Sequence, residues 1–179
     1  MKPNEIIQKQ VQLLRKGYKI GIYPNYVEKM CNECDAENFK FAVKNRLGYE
    51  QIHLTNLGFI EPFHRCSIIG IPQKNHIIWY IVDPTYGQFF EDTSFYNYMF
   101  TNYNNFSIEI LENGFIECSP ENLSIYINSF ICGYPLIQND LETIYTNLLN
   151  LISTSCIYSE YGFKQLSTLI SKIKNVAIK

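Results

Sequence analysis

No stretch of the sequence approaches the roughly 18–20 consecutive apolar residues of a membrane-spanning helix, so no span is expected. The N-terminal MKPNEIIQKQVQLLRK sets Ile6, Ile7, Gln10, Leu13 and Leu14 at helical spacing and has nothing like the apolar run of a Sec signal peptide. Those features lead us to expect a protein that stays in the cytoplasm or is delivered into a host cell by a specialised secretion system. There is no Lys/Arg run, and a net charge of −2 leaves no electrostatic footprint for nucleic acid. Six cysteines are too few and too scattered for a small secreted disulfide scaffold, so they are expected to be reduced and mostly buried. Cys31 and Cys34 spell C-x-x-C, but no second C-x-x-C or H-x3–5-H supplies further zinc ligands, and no βαβ context suggests a thioredoxin-like motif. No metal or organic cofactor is implied. Internal repeats, low-complexity tracts and charge blocks are also missing.

What is present is a single-domain length, 179 residues, with 46% apolar content, enough for a sizeable core. The most informative stretch runs from Phe63 to Phe90, FHRCSIIGIPQKNHIIWYIVDPTYGQFF. Two β-rich runs, His64 to Ile71 and His76 to Val82, flank the turn residues Pro72 to Asn75 and predict a hairpin. A turn centred between Gln73 and Lys74 sets His64 directly opposite Asp83, on the same face of the antiparallel pair. A slip of one residue would send the two side chains to opposite faces.

Around the hairpin the sequence predicts a first helix from about Asn4 to Lys16 ending at Gly17, then a short strand from Tyr18 to Tyr23. A second helix is expected over Cys34 to Leu47, with Ala36, Phe39, Ala42, Val43 and Leu47 as its buried stripe and Cys34 at its start. Tyr49 to Leu57 reads as a strand, Glu91 to Asn105 as an aromatic segment covering the core, and Phe106 to Leu111 as another strand by its alternation. Asn113-Gly114 then reads as a turn into Phe115 to Cys118, and Ser119-Pro120 as the start of a helix closing at Gly133. Further amphipathic helices are expected over about Asp140 to Ile152 and Tyr161 to Val176. The sum is an α+β domain spanning 1–179, with a core of about 18–118 and C-terminal helices over about 119–179.

A cysteine at a helix start, a histidine on a strand and an aspartate ending the adjacent strand follow the logic of a thiol triad. The thiol attacks a carbonyl, the imidazole takes and returns the proton, and the carboxylate fixes the imidazole tautomer. Cys34, His64 and Asp83 fill those roles, with Cys31 as a rival nucleophile one turn upstream. Free N–H groups at a helix start favour a thiolate, but by less than one pKa unit, so the imidazole has to supply the rest. His76 sits in or beside the turn and His53 on a solvent-facing strand, so neither suits the base. Cys66 and Trp79 share the faces of His64 and Asp83 and are read first as packing residues, with Trp79 a candidate shield over Asp83.

The order and placement of these residues resemble the papain-like and transglutaminase-like cysteine hydrolases. The run Asp83-Pro84-Thr85-Tyr86-Gly87-Gln88-Phe89 is more specifically similar to the deamidase family of the Pasteurella mitogenic toxin C-terminal domain and the related Salmonella effector. The resemblance implies a papain-like core, with a central antiparallel sheet packed on the cysteine helix. It also implies Gln88 at the oxyanion hole and a protein substrate, a host protein, whose glutamine is converted to glutamate. Deamidase, papain-like protease and transglutaminase share one triad, an acyltransferase uses it too, and a non-catalytic α+β binding module is the competing class.

Overall fold

The computed structural model describes residues 1–24, 28–53 and 64–133. Its centre is a four-stranded antiparallel sheet in the order β1-β2-β3-β4, made of Gly48–His53, Arg65–Pro72, Ile77–Val82 and Phe115–Glu117. Strand β2 is buried along most of its length because both faces of the sheet are covered, which explains its near-continuous apolar run. On one face, Ile69, Ile71, Tyr80 and Val82 pack against Ile7 and Val11 of helix α1 (Pro3–Tyr18). Helix α2 (Glu28–Asn45) lies on that face too. On the other face, Ile52, Cys66, Ile68 and Ile81 meet an aromatic-rich layer from three helices, α3 (Thr93–Asn102), α4 (Asn104–Asn113) and α5 (Pro120–Gly133). The chain is therefore α+β, with helices on both sides of an antiparallel meander.

The hairpin forms as expected, but two residues out of register. Ser67 pairs with Val82 and Pro72 with Ile77, and Gln73 N–H closes the turn on the His76 carbonyl at 2.7 Å. Continued by one step, this ladder sets Asp83 across from Cys66, so His64 meets Asp83 on the diagonal. A shift of two preserves which side chains share a face, whereas a shift of one would have separated them.

Three other expectations are corrected. Tyr18 to Tyr23 is not a strand: α1 runs past Gly17, and Lys19 takes the left-handed cap with φ 55°. Phe106 to Leu111 is not a strand but the middle of α4. Its buried residues Phe106, Ser107, Ile110 and Leu111 follow a helical repeat, with Ile108 exposed and Gly114 as the left-handed helix cap. Helix α2 begins six residues before Cys34, and its buried face is not the apolar stripe. Phe39 and Val43 are 51% and 61% exposed, while Cys31, Cys34, Asp35, Asn38 and Ala42 are buried. Side chains at those five positions recur three and four residues apart, which is one helix face, but a polar one. The start of α5 is as expected, with Ser119 Oγ accepting from Asn122 N–H at 3.0 Å. The helices expected over 140–152 and 161–176 lie outside the described residues.

The polar face of α2 is seated by hydrogen bonds. Asp35 accepts from Tyr49 Oη at 2.6 Å, from Ser67 Oγ at 2.8 Å and from Gln51 Nε2. Asn38 donates to Ser67 Oγ at 3.1 Å and accepts from Gln10 Nε2 at 3.2 Å, which links α1, α2 and the sheet. Leaving one such buried donor or acceptor unmatched typically costs about 1–3 kcal/mol, so the network fixes the rotation of α2 against the weak pull of Phe39 and Val43.

After β3 the chain makes a tight 3-10 turn, Tyr86–Glu91, buried from Tyr86 to Phe90. Tyr86 is the hub of the aromatic layer, with ring contacts to Phe89, Phe90, Phe95, Phe106, Tyr126 and Phe130 at 5.4–6.2 Å. Gly87 has no room for a side chain: an added Cβ would stand 1.7 Å from the Ile22 carbonyl oxygen. Gly87→Ala should therefore destabilise the fold by about 2–3 kcal/mol, seen as a lower urea midpoint at an unchanged slope. An unchanged midpoint would contradict this contact between the chain before α2 and the 3-10 turn.

Candidate active site

His64 stands immediately before β2 and Asp83 immediately after β3, so the hairpin's open end brings them together. Nε2 of His64 and Oδ2 of Asp83 are 2.6 Å apart, and both side chains are excluded from solvent. Removing a carboxylate from water is costly unless its lone pairs are matched, and here four donors match them. Beyond His64, Tyr126 Oη donates to Oδ2 at 2.8 Å. Thr85 supplies its N–H at 3.2 Å and its hydroxyl at 3.0 Å to Oδ1. The Thr85 contacts come from the sequence itself: an Asp two residues before a backbone N–H folds its side chain back in an Asx turn, and Pro84 sets the backbone for it.

The other imidazole nitrogen, Nδ1, has Gln88 Nε2 at 3.2 Å. The Cys31 thiol is also near enough to raise the imidazole through charge and hydrogen bonding. Phe89 stands edge-on to the ring at a centroid distance of 4.8 Å, and Phe130 lies on its other side at 5.9 Å. Burial works against charge on His64, but the charge and hydrogen bond of Asp83, joined by Cys31, outweigh it and push the imidazole up to about 9. A charged ring donates from both nitrogens, so it favours the Gln88 carboxamide with its oxygen toward Nδ1, and a neutral ring favours the nitrogen.

Of the residues expected at the site, His64, Asp83 and Gln88 are brought together and Cys34 is not. Cys34 lies one helical turn beyond Cys31, packed with Leu14 and Ile20, and makes no hydrogen bond to His64. Burial, with the negative charge of Asp83 and other acids, pushes its thiol up to about 12. The cause of the difference is the earlier start of α2: the first turn, with its free N–H groups, belongs to Cys31, and Cys34 is in the second. Exposure does not separate the thiols, since Cys31, Cys34, Cys66 and Cys118 are all buried at 1–6%. The neighbouring imidazole does.

Thr85 and Tyr126 are site residues that the sequence did not point out. Thr85 had a signal in its spacing from Asp83; Tyr126 had none, being 43 positions away on a helix that reads as ordinary cover. Trp79 does not shield Asp83: its indole lies over Gly48 and Gly70 at the other end of the strands. His76 is exposed at the turn and His53 is half-buried at the end of β1. Among the described residues, no group of three His, Cys, Asp or Glu side chains is placed to hold a metal ion, and no helix is long and apolar enough to cross a membrane. Searches against protein-family models, curated proteins and solved structures find no match to this chain.

The raised imidazole makes a signed prediction. A group with its folded pKa above the unfolded value of about 6.5 stabilises fully below that value and loses the stabilisation as pH rises through about 9. The melting temperature should fall between pH 6.5 and 9.5, and the part of that fall owed to this pair should be missing in Asp83→Asn. Parallel curves for the two proteins would mean that the pair carries no linkage.

Proposed function

We propose that the protein is a thiol hydrolase in which Cys31 is the nucleophile, His64 the base and acid, and Asp83 the group that orients His64. The observation that carries this is the buried 2.6 Å His64–Asp83 pair, with Cys31 close enough to the same imidazole to raise it. In that arrangement the Cys31 proton rests on His64, Sγ of the resulting thiolate attacks a carboxamide carbon, and the imidazolium gives the proton to the departing nitrogen. The resulting thioester is then cleaved by a water that gives its proton to His64, restoring the thiol and releasing the acid. Gln88 Nε2 stands 3.2 Å from Nδ1 of the imidazole, and its carboxamide is the group that the resemblance assigns to the charge developing on the attacked oxygen. Removing one such donor commonly costs on the order of 10²–10³ in rate.

For the substrate, we favour the side-chain carboxamide of a protein glutamine, as the resemblance of Asp83 to Phe89 to the papain-like deamidases suggests. The geometry gives that run a physical meaning: Asp83 and Gln88 touch His64, Thr85 holds Asp83, and Phe89 walls the ring. A papain-like core, an effector role in a host cell and a protein partner belong to the same proposal. Proteolysis and transglutamination use the same first step and are separated by the product. The closed state of the site, with Cys31 1% and His64 0% exposed, favours a second reading, a binding module with a structural dyad.

The deciding experiment is iodoacetamide labelling across pH, mapped cysteine by cysteine, in wild type and His64→Ala. Cys31 should label fastest near neutral pH and lose that lead without His64, while Cys34 stays slow. Cys31→Ser should abolish turnover on glutamine-containing proteins, read as a gain of about 1 Da without new termini, and Cys34→Ser should retain it. If no cysteine leads, the structural dyad is correct; if Cys34 leads, the nucleophile is misassigned.

A further inference from the structure

Tyr126 reaches Asp83 from α5, across the aromatic layer, and its phenol is fully buried. Its hydroxyl donates at 2.8 Å to Oδ2, the oxygen that also receives His64 Nε2 at 2.6 Å. Thr85 occupies the other oxygen with two donors, so Tyr126 and His64 share one acceptor atom. A phenol has one proton, and a carboxylate can only accept. The proton therefore lies toward Asp83, and the buried Cys66 thiol stands near the same phenol. The result is a connected run from Tyr126 through Asp83 to His64.

We propose that Tyr126 is a positioning residue that sets, through Asp83, how firmly His64 holds its proton. Each donor to a carboxylate stabilises its charge and makes it less basic. By taking up part of the charge on Oδ2, Tyr126 weakens the hold of Asp83 on the imidazolium, which suits a base that must also give its proton back. The titratable groups facing the pair are Cys31 and Cys34 from α2, Cys66 from β2 and Tyr126 itself, with the Arg15 guanidinium of α1 within the electrostatic reach of Asp83. Tyr126 is the only one of these that donates to Asp83. The role takes its meaning from the thiol-hydrolase reading but is read on a proton rather than a product, so either can fail without the other.

The test is an NMR titration of the His64 ring nitrogens in the full chain, for wild type, Tyr126→Phe and a protein with 3-fluorotyrosine at position 126, with exposed His76 as internal reference. Tyr126→Phe removes the donor and should raise the His64 midpoint by roughly half a pH unit to one unit. Fluorotyrosine keeps the ring and hydroxyl but is a stronger acid and donor, and should lower it. A purely structural tyrosine would not move the midpoint in opposite directions. Midpoints that stay put, or that shift the same way in both proteins, overturn the proposal. Should Tyr126→Phe not fold, the near-isosteric fluorotyrosine protein decides alone: a lowered midpoint supports the role, and an unchanged or raised one ends it.

Discussion

A carboxylate withdrawn from water has to be met by donors on every side, and Asp83 is met from four directions by three separate pieces of the chain. That demand couples parts of the chain that lie far apart in sequence. The hairpin must close in a register that brings His64 within reach, the residues after β3 must turn back so that Thr85 faces Oδ1, and α5 must dock deep enough for its phenol to arrive. Breaking a buried pair of this kind by removing one partner typically costs about 3–5 kcal/mol, because the other partner stays buried and unmatched. The pair is thus as much a condition on the fold as a product of it.

A second buried acid, Asp35, does for the other side of the sheet what Asp83 does for the hairpin's end. Its three donors come from β1 and β2, and it lies one turn after Cys31 on the same helix. One turn is about 5.4 Å along the axis, so fixing Asp35 fixes where the Cys31 sulfur falls relative to the strands. The thiol is carried by α2 and the imidazole by the sheet, and the Asp35 network joins the two. Apolar contacts alone would hold α2 loosely in rotation, as the exposure of Phe39 and Val43 makes plain.

This division also explains what could be read from the sequence. The hairpin was legible because its signals are local, and the His64–Asp83 encounter survived a register error because strands alternate with period two. The rotation of α2 was not legible: Phe39 and Val43 look like a core stripe, while the true inner face is made of Cys31, Cys34, Asp35 and Asn38, whose partners lie 14 to 32 residues away. That difference carries directly into the candidate site, since a helix begun at Cys34 gives the first turn to Cys34 and the helix begun at Glu28 gives it to Cys31. The alternation of Phe106 to Leu111 misled for a related reason, because a short amphipathic helix and a half-buried strand can share the same apolar residues. Tyr126 shows the limit most clearly, its function being defined by an oxygen atom 43 residues distant.

The close approach of Ile22 to Gly87 joins the two sides of the site mechanically. Ile22 belongs to the chain that leads from α1 toward α2 and so toward Cys31, and Gly87 immediately precedes Gln88 in the buried 3-10 turn. With backbone resting on backbone, there is no side chain between them to flex and absorb a displacement. A displacement of the chain that follows α1 would therefore press directly on the turn that carries Gln88.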